Sequence, residues 1–199
     1  MNHLEIEYKS MLNKAEFNRM EALFSHVPAV TQTNYYFDTD DFIMRKKRLS
    51  LRIRTFDKGA ELTLKIPREV GTLEHNIDLS RQEARSIIES CHFPDSTIKA
   101  LIHEQGVDCD QLRNLGHLTT VRREKETPIG LMALDKNNYA GRIDYELELE
   151  VEDAIKGKAD FEAFLVEHDI ELKYAKSKVA RFCSTLKQKE WWTNSDEGL

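Results

Sequence analysis

Residues 3–9 read His-Leu-Glu-Ile-Glu-Tyr-Lys, and residues 143–151 read Ile-Asp-Tyr-Glu-Leu-Glu-Leu-Glu-Val. In a strand, successive side chains point to opposite faces. Glu5, Glu7 and Lys9 therefore share one face, and Leu4, Ile6 and Tyr8 the other. Asp144, Glu146, Glu148 and Glu150 likewise oppose Ile143, Tyr145, Leu147, Leu149 and Val151. Carboxylates crowded into a confined space do not all stay ionised without a cation. Ligation by oxygen alone suits Mg2+ or Mn2+. If the two segments line one cavity, the chain has built a divalent-cation site.

A basic set accompanies the acidic one. Arg52 and Arg54 oppose Leu51 and Ile53, and Lys65 lies on the face opposite Leu62, Leu64 and Ile66. Glu74, Asn76 and Asp78 oppose Ile77 and Leu79. Arg122 falls inward if Val121 faces out; a slip of one residue would exchange it with Arg123. Guanidinium forks match phosphate oxygens bidentately, and lysine adds a point charge. Carboxylates that can hold metal, together with Lys9, Arg52, Arg54, Lys65 and Arg122, point to a polyanion such as a phosphate chain. The matching chemistry is phosphoryl transfer or hydrolysis by positioning and charge neutralisation. Lys176, Ser177 and Lys178 sit at the predicted start of the last helix, where free N–H groups favour an anion. An exposed polar helix start is the plainer reading of the same residues. Asp38-Thr39-Asp40, and Asp135 beside Lys136-Asn137-Asn138, have turn-forming composition. The seven histidines show no metal-ligand spacing, and neither a GxxxxGK[ST] nor a GxGxxG loop is present.

The elements that must position these groups are legible from periodicity and punctuation. Strands are predicted near 3–9, 33–38, 49–56, 60–66, 73–79, 117–125, 130–136 and 142–152. Asn13 with Glu16, and Ser80 with Glu83, have capping-box spacing and open helices over 14–26 and 81–92. Further helices are expected over 95–105, 159–168 and 177–191, with Trp191-Trp192 packing the last against the sheet. Residues 1–192 read as one domain, and 193–199 as a flexible tail.

The chain has 199 residues, 40% hydrophobic and 32% charged, with a net charge of -6. That balance is globular rather than disordered, and it disfavours general binding of nucleic-acid duplexes. Three widely spaced cysteines suggest neither a disulfide framework nor a zinc site. No signal peptide and no apolar run near the roughly 18 residues of a membrane span is visible. The expectation is a cytoplasmic protein, with its oligomeric state open. Two architectures fit the alternation: a sheet with helices on one face and charge in solvent on the other, or a closed barrel with the charge inside. Repeated Glu, Arg and Lys at consecutive inward positions favour the barrel.

These motifs carry a family resemblance. Glu5-Ile-Glu7-Tyr-Lys9 matches the ExExK signature of the CYTH superfamily, the triphosphate tunnel metalloenzymes. Tyr36-Phe37-Asp38-Thr39, Leu51-Arg52-Ile53-Arg54, Leu62-Thr63-Leu64-Lys65, Glu74, Arg122, Asp135, Tyr145-Glu146-Leu147-Glu148 and Ser177-Lys178 follow in the family's order. The match spans about residues 3–182 and looks like the compact single-domain bacterial branch. The resemblance implies an α+β fold: an eight-stranded antiparallel tunnel with a charged interior and helices outside. It implies Mg2+- or Mn2+-dependent action on a small triphosphate, with Glu5, Glu7, Glu146 and Glu148 holding metal. Lys9, Arg52, Arg54, Lys65 and Arg122 would hold the phosphate chain, with Lys178 closing on it. Glu5, Glu7, Glu148 and Lys178 would form the catalytic set. Glu74 and Asp135 would steady basic residues or water, and Glu150 extends the acidic strand. Hydrolysis of inorganic triphosphate or of an organic one such as thiamine triphosphate is the first expectation. An adenylate cyclase of the same superfamily and a non-catalytic polyphosphate or nucleotide binder are the alternatives.

Overall fold

The computed structural model describes the backbone of residues 2–193 and the side chains of residues 3–186. The proposed packing of Trp191-Trp192 and the tail after residue 193 lie outside the described residues. Eight strands close into a barrel in the order β1-β5-β4-β3-β2-β6-β7-β8. They are β1 (Asn2–Leu12), β2 (Val30–Thr39), β3 (Ser50–Phe56), β4 (Gly59–Pro67), β5 (Thr72–Leu79), β6 (Leu112–Thr127), β7 (Gly130–Tyr139) and β8 (Arg142–Val151). Every neighbouring pair is antiparallel. Closure removes both free sheet edges.

The helices cover the outer surface, where the apolar half of each alternating strand points. Helices α3 (Arg81–Ser90) and α4 (Thr97–Glu104) bury Ala84, Ile87, Ile98 and Ile102 against Leu51, Ile53, Leu62 and Leu64. Helices α1 (Lys14–Leu23) and α5 (Ala154–Glu167) bury Phe17, Met20, Phe161 and Leu165 against Met132, Leu134, Leu147 and Leu149. The last helix, α6 (Lys178–Thr193), differs: its first turn lines the barrel cavity, and it seats Phe182 and Cys183 beside Tyr36, Leu118 and Tyr139. Both expected capping boxes are formed, with Asn13 and Ser80 accepting from the N–H groups of Glu16 and Glu83.

Several boundaries differ from the sequence expectation. Lys136-Asn137-Asn138 is not a turn but the second half of β7, because Tyr139 to Arg142 supplies the reversal instead. Asp135 is thus mid-strand and fully buried, not a turn starter. Strand β6 begins five residues early at Leu112, and α5 begins at Ala154, where Asp153 caps the Ile155 and Lys156 N–H groups. A short helix, α2 (Ile43–Lys46), was not anticipated. Register against β6 slips between Tyr36 and Phe37, which pair with Gly116 and Asn114 and leave Leu115 as a bulge.

Candidate active site in the barrel interior

The polar half of each strand points inward, and part of it lines a cavity of about 560 Å³ within the barrel. Glu5, Glu7, Lys9, Arg52, Arg54, Lys65, Glu74, Arg122, Glu148, Glu150 and Lys178 all line it. Arg122 is the inward residue; Arg123 points out and donates to the Val27 carbonyl.

Asp135 and Glu146 are register partners on β7 and β8, and Glu148 lies two residues further along β8. One carboxylate oxygen from each of these buried residues lies within 4.8 Å of the others. Lys178, the first residue of α6, places its Nζ 2.8 Å from Asp135 Oδ2 and 2.8 Å from Glu148 Oε1. The same ammonium pairs with Glu146. Arg122 forks onto Asp135, with Nε 2.8 Å from Oδ1 and Nη2 2.7 Å from Oδ2, and Nη2 also reaches Glu148 Oε2 at 2.5 Å. Burial works to raise the pKa of Glu148, but Lys178, Arg122 and Lys9 outweigh it and hold the carboxyl well below the usual range. Asp135 is held low in the same way. Burial disfavours the Lys178 charge, yet the three carboxylates raise its pKa.

A second layer supports this cluster. Arg181 Nη1 donates to Glu146 Oε2 at 2.9 Å, and its Nε lies 3.1 Å from Asp144 Oδ2. Asn137 Nδ2 donates to Glu146 Oε1 and to Asp144 Oδ1, each at 3.0 Å, while Tyr139 donates to Asp144 Oδ2 at 2.7 Å. Arg181 escaped the sequence reading. Its one available signal was spacing: it lies three residues after Lys178, which puts both on one helix face.

Glu5 and Glu7 line the same cavity but fall outside the three-carboxylate cluster. Glu5 Oε2 accepts from Lys65 Nζ at 2.6 Å, and Lys65 also pairs with Glu74. Burial raises the pKa of Glu5, with Glu7 and Glu74 adding to the effect against Lys65. Burial also acts to raise Glu74, but Lys65, Arg52 and the Asn76 amide bring it down to about 2. Glu7 pairs with Lys9, and Glu150 Oε1 accepts from His3 Nε2 at 2.5 Å.

Two guanidiniums are less well matched. Arg54 Nε donates to Asn34 Oδ1 at 3.1 Å, and among the described residues no carboxylate pairs with it. Burial lowers its pKa to about 10, and the charges of Arg52 and Arg122 contribute. Arg52 is 4.0 Å from Glu74 Oε1, and its buried Nε has no hydrogen-bond partner among the described residues. Buried cations of this kind suit an anion entering between them.

One oxygen from each of these three buried carboxylates could serve a metal ion, an all-oxygen donor set of the kind that suits Mg2+ or Mn2+, and in this structure the Lys178 ammonium pairs with all three. The cavity therefore combines a place for a hard cation with a place for a polyanion.

Comparison with known proteins agrees with this arrangement. The CYTH domain model matches residues 3–183. The Bacillus subtilis (strain 168) protein named "Putative triphosphatase YjbK" is 37% identical over 181 residues, covering 90% of this chain and 94% of that one. A crystal structure from Bacillus halodurans, described as a "putative adenylate cyclase (bh2851)", superimposes with a TM-score of 0.86 at 34% identity, covering 91% of this chain and 98% of that one. HpAC1 from Hippeastrum, an adenylyl cyclase by name and described as having a dominant triphosphatase activity, gives a TM-score of 0.79 at 25% identity. That match covers 92% of this chain and 96% of HpAC1. The charged barrel, its ordered motifs and these relatives together place the chain in the CYTH domain family.

Proposed function

We propose that this chain is a metal-dependent triphosphatase that cleaves the terminal phosphate of inorganic triphosphate or of a small organic triphosphate such as thiamine triphosphate. The observation that carries this reading is the pair of cavity-lining guanidiniums, Arg52 buried and Arg54 half-buried without a close carboxylate, in the same barrel as three carboxylates that could hold a metal ion. A metal-bound phosphate chain would answer both, its oxygens meeting the guanidiniums and its cation the carboxylates. Names and descriptions of the relatives support hydrolysis: YjbK bears the name triphosphatase, and HpAC1 is described as dominated by that activity.

The roles follow from placement. Arg52, Arg54, Lys9 and Lys65 hold the phosphate oxygens from one side of the cavity. Asp135, Glu146 and Glu148 would hold Mg2+ or Mn2+, with Glu5 and Glu7 on the adjoining strand β1. When bound, the ion supplies charge neutralisation at phosphate oxygens and lowers the pKa of a coordinated water. Lys178 and Arg122 are the cations for which the carboxylates and a phosphate chain compete, so they link the two halves of the site.

The test is phosphate release from inorganic triphosphate, thiamine triphosphate and ATP with Mg2+ or Mn2+, with products identified. Release abolished by Glu148→Ala and by Arg54→Ala supports the proposal. Formation of cyclic AMP from ATP, or tight tripolyphosphate binding without turnover, overturns it in favour of a cyclase or a binder.

A further inference from the structure

The connection between β2 and β3 carries Arg45-Lys46-Lys47-Arg48, four consecutive exposed cations. Only Arg45 and Arg48 of the four line the cavity. Among the described residues, neither guanidinium has an ion-pair partner, whereas Lys46 lies 3.7 Å from Asp41. The connection is built rather than loose. Asp38, 4% exposed, accepts through Oδ1 from the Thr39 and Met44 N–H groups and through Oδ2 from that of Arg45. Thr39 Oγ1 accepts from the Ile43 N–H and donates to Asp41. Phe42 and Arg48, which bracket α2, hold φ values of 58° and 60°, a conformation that costs energy for residues with a side chain.

Most charged groups that line the cavity are paired with one another, among them Lys9 with Glu7, Lys65 with Glu5 and Glu74, and Arg122 with Glu124 and Glu148. Strand β6 starts beside this connection, where Thr39 pairs with Leu112, and runs to Thr127 at the far end. At that far end Glu124, paired with Arg122, and Glu150, paired with His3, line the cavity, and Glu7 lies opposite Glu150. Beyond Arg52 and Arg54, Arg45 and Arg48 are cavity-lining guanidiniums without an ion pair among the described residues, so a phosphate chain seated on Arg52 and Arg54 gains charge contacts by extending toward them. The strand distance from Arg54 to Ser50 is about 13 Å at 3.3 Å per residue. A triphosphate, with two P–O–P links between its terminal phosphorus atoms, is shorter than that.

We infer that Arg45 and Arg48 form an outer anion subsite at the mouth of the tunnel, which binds a fourth phosphoryl group and selects linear inorganic polyphosphate over triphosphates whose outer end is uncharged. This inference rests on the triphosphatase reading of the tunnel and specifies its substrate class.

The experiment compares calorimetric affinity and phosphate release for tripolyphosphate and tetrapolyphosphate at one ionic strength. Wild type is expected to bind tetrapolyphosphate about tenfold more tightly than tripolyphosphate. In Arg45→Ala/Arg48→Ala that ratio collapses to about one, while Lys46→Ala/Lys47→Ala, which removes the same charge beside the mouth, keeps it. Arg45→Glu/Arg48→Glu is expected to invert the preference. Equal affinities in wild type, or a ratio that survives Arg45→Ala/Arg48→Ala, overturn the subsite while turnover of tripolyphosphate keeps the triphosphatase reading. A ratio lost equally in the Lys46→Ala/Lys47→Ala control reduces the effect to diffuse charge and also overturns it. Failure of wild type to hydrolyse tripolyphosphate overturns the triphosphatase reading instead.

Discussion

Lys178 Nζ lies 2.8 Å from Asp135 Oδ2, so the first residue of α6 puts its charge among the carboxylates of β7 and β8. This ammonium acts as a tethered counter-ion for a cluster that would otherwise repel itself. Replacing it with an apolar side chain leaves buried carboxylates short of charge, a loss of about 3–5 kcal/mol for a broken buried pair. Lys178→Met is expected to melt at a lower temperature than wild type in EDTA. Mg2+ should then raise its Tm by more than it raises that of wild type. An unchanged Tm in EDTA would count against the counter-ion role.

Arg54 presents the opposite case. Its charge is buried without a carboxylate, so it opposes folding while preparing the tunnel for an anion. Arg54→Met is expected to fold with equal or higher stability in denaturant melts, yet to bind tripolyphosphate roughly ten- to hundredfold more weakly. Loss of stability together with loss of binding would assign Arg54 a structural role.

Metal loading separates the two acidic walls. Asp135 belongs to the three-carboxylate cluster, whereas Glu5 is committed to Lys65. Asp135→Asn should therefore reduce Mn2+ affinity, measured by paramagnetic resonance or calorimetry without substrate, by more than Glu5→Gln does. The reverse order would move the primary cation site to β1.

Acid sensitivity follows from Glu74. Its pKa in the folded chain is about 2, below the ordinary 4.5, so the folded state favours the ionised form. The stability it contributes is complete above pH 4.5 and is lost as pH falls toward 2. Asp135 and Glu148 are depressed too and act in the same direction. Denaturant melts across that window should show stability falling with pH, with a shallower slope in Glu74→Gln. Identical slopes would exclude Glu74 as a contributor.

Gly116 controls the seating of α6. It sits at φ +119°, and a Cβ there would lie 2.9 Å from Phe182 Cζ. Gly116→Leu is expected to cost about 1–3 kcal/mol in backbone strain alone. Because displacing Phe182 displaces the helix that carries Lys178 and Arg181, kcat for phosphate release should fall by more than the loss of folded protein explains.

The strand faces were legible because alternation is a local property: Glu5, Lys9, Arg52, Arg54, Lys65, Arg122 and Glu148 all point into the cavity as their spacing implied. Pairing was not local. Which carboxylates meet depends on register across strands remote in sequence, and it is Asp135 opposite Glu146 that completes the cluster. Lys136-Asn137-Asn138 after Asp135 has turn composition, yet it continues the strand, and Asn137 serves inside the barrel, bridging Thr120, Asp144 and Glu146. Arg45 and Arg48 lie off any strand, on a connection shaped by the buried Asp38, and no periodicity marked them.

Closure of the barrel through β1 and β8 pairs Ile6 with Val151 and Leu12 with Tyr145. During synthesis the first of these strands leaves the ribosome long before the last. Until residue 151 emerges, the interior face of β1 lacks its neighbour on one side, and Asp135, Glu146 and Glu148 cannot surround a cation. The ionic interior is thus dehydrated late and nearly all at once. Contacts so distant in sequence slow folding, and partly made chains expose apolar strand faces meanwhile. An incomplete nascent chain cannot hold half of this site, because neither wall exists as a wall without the other.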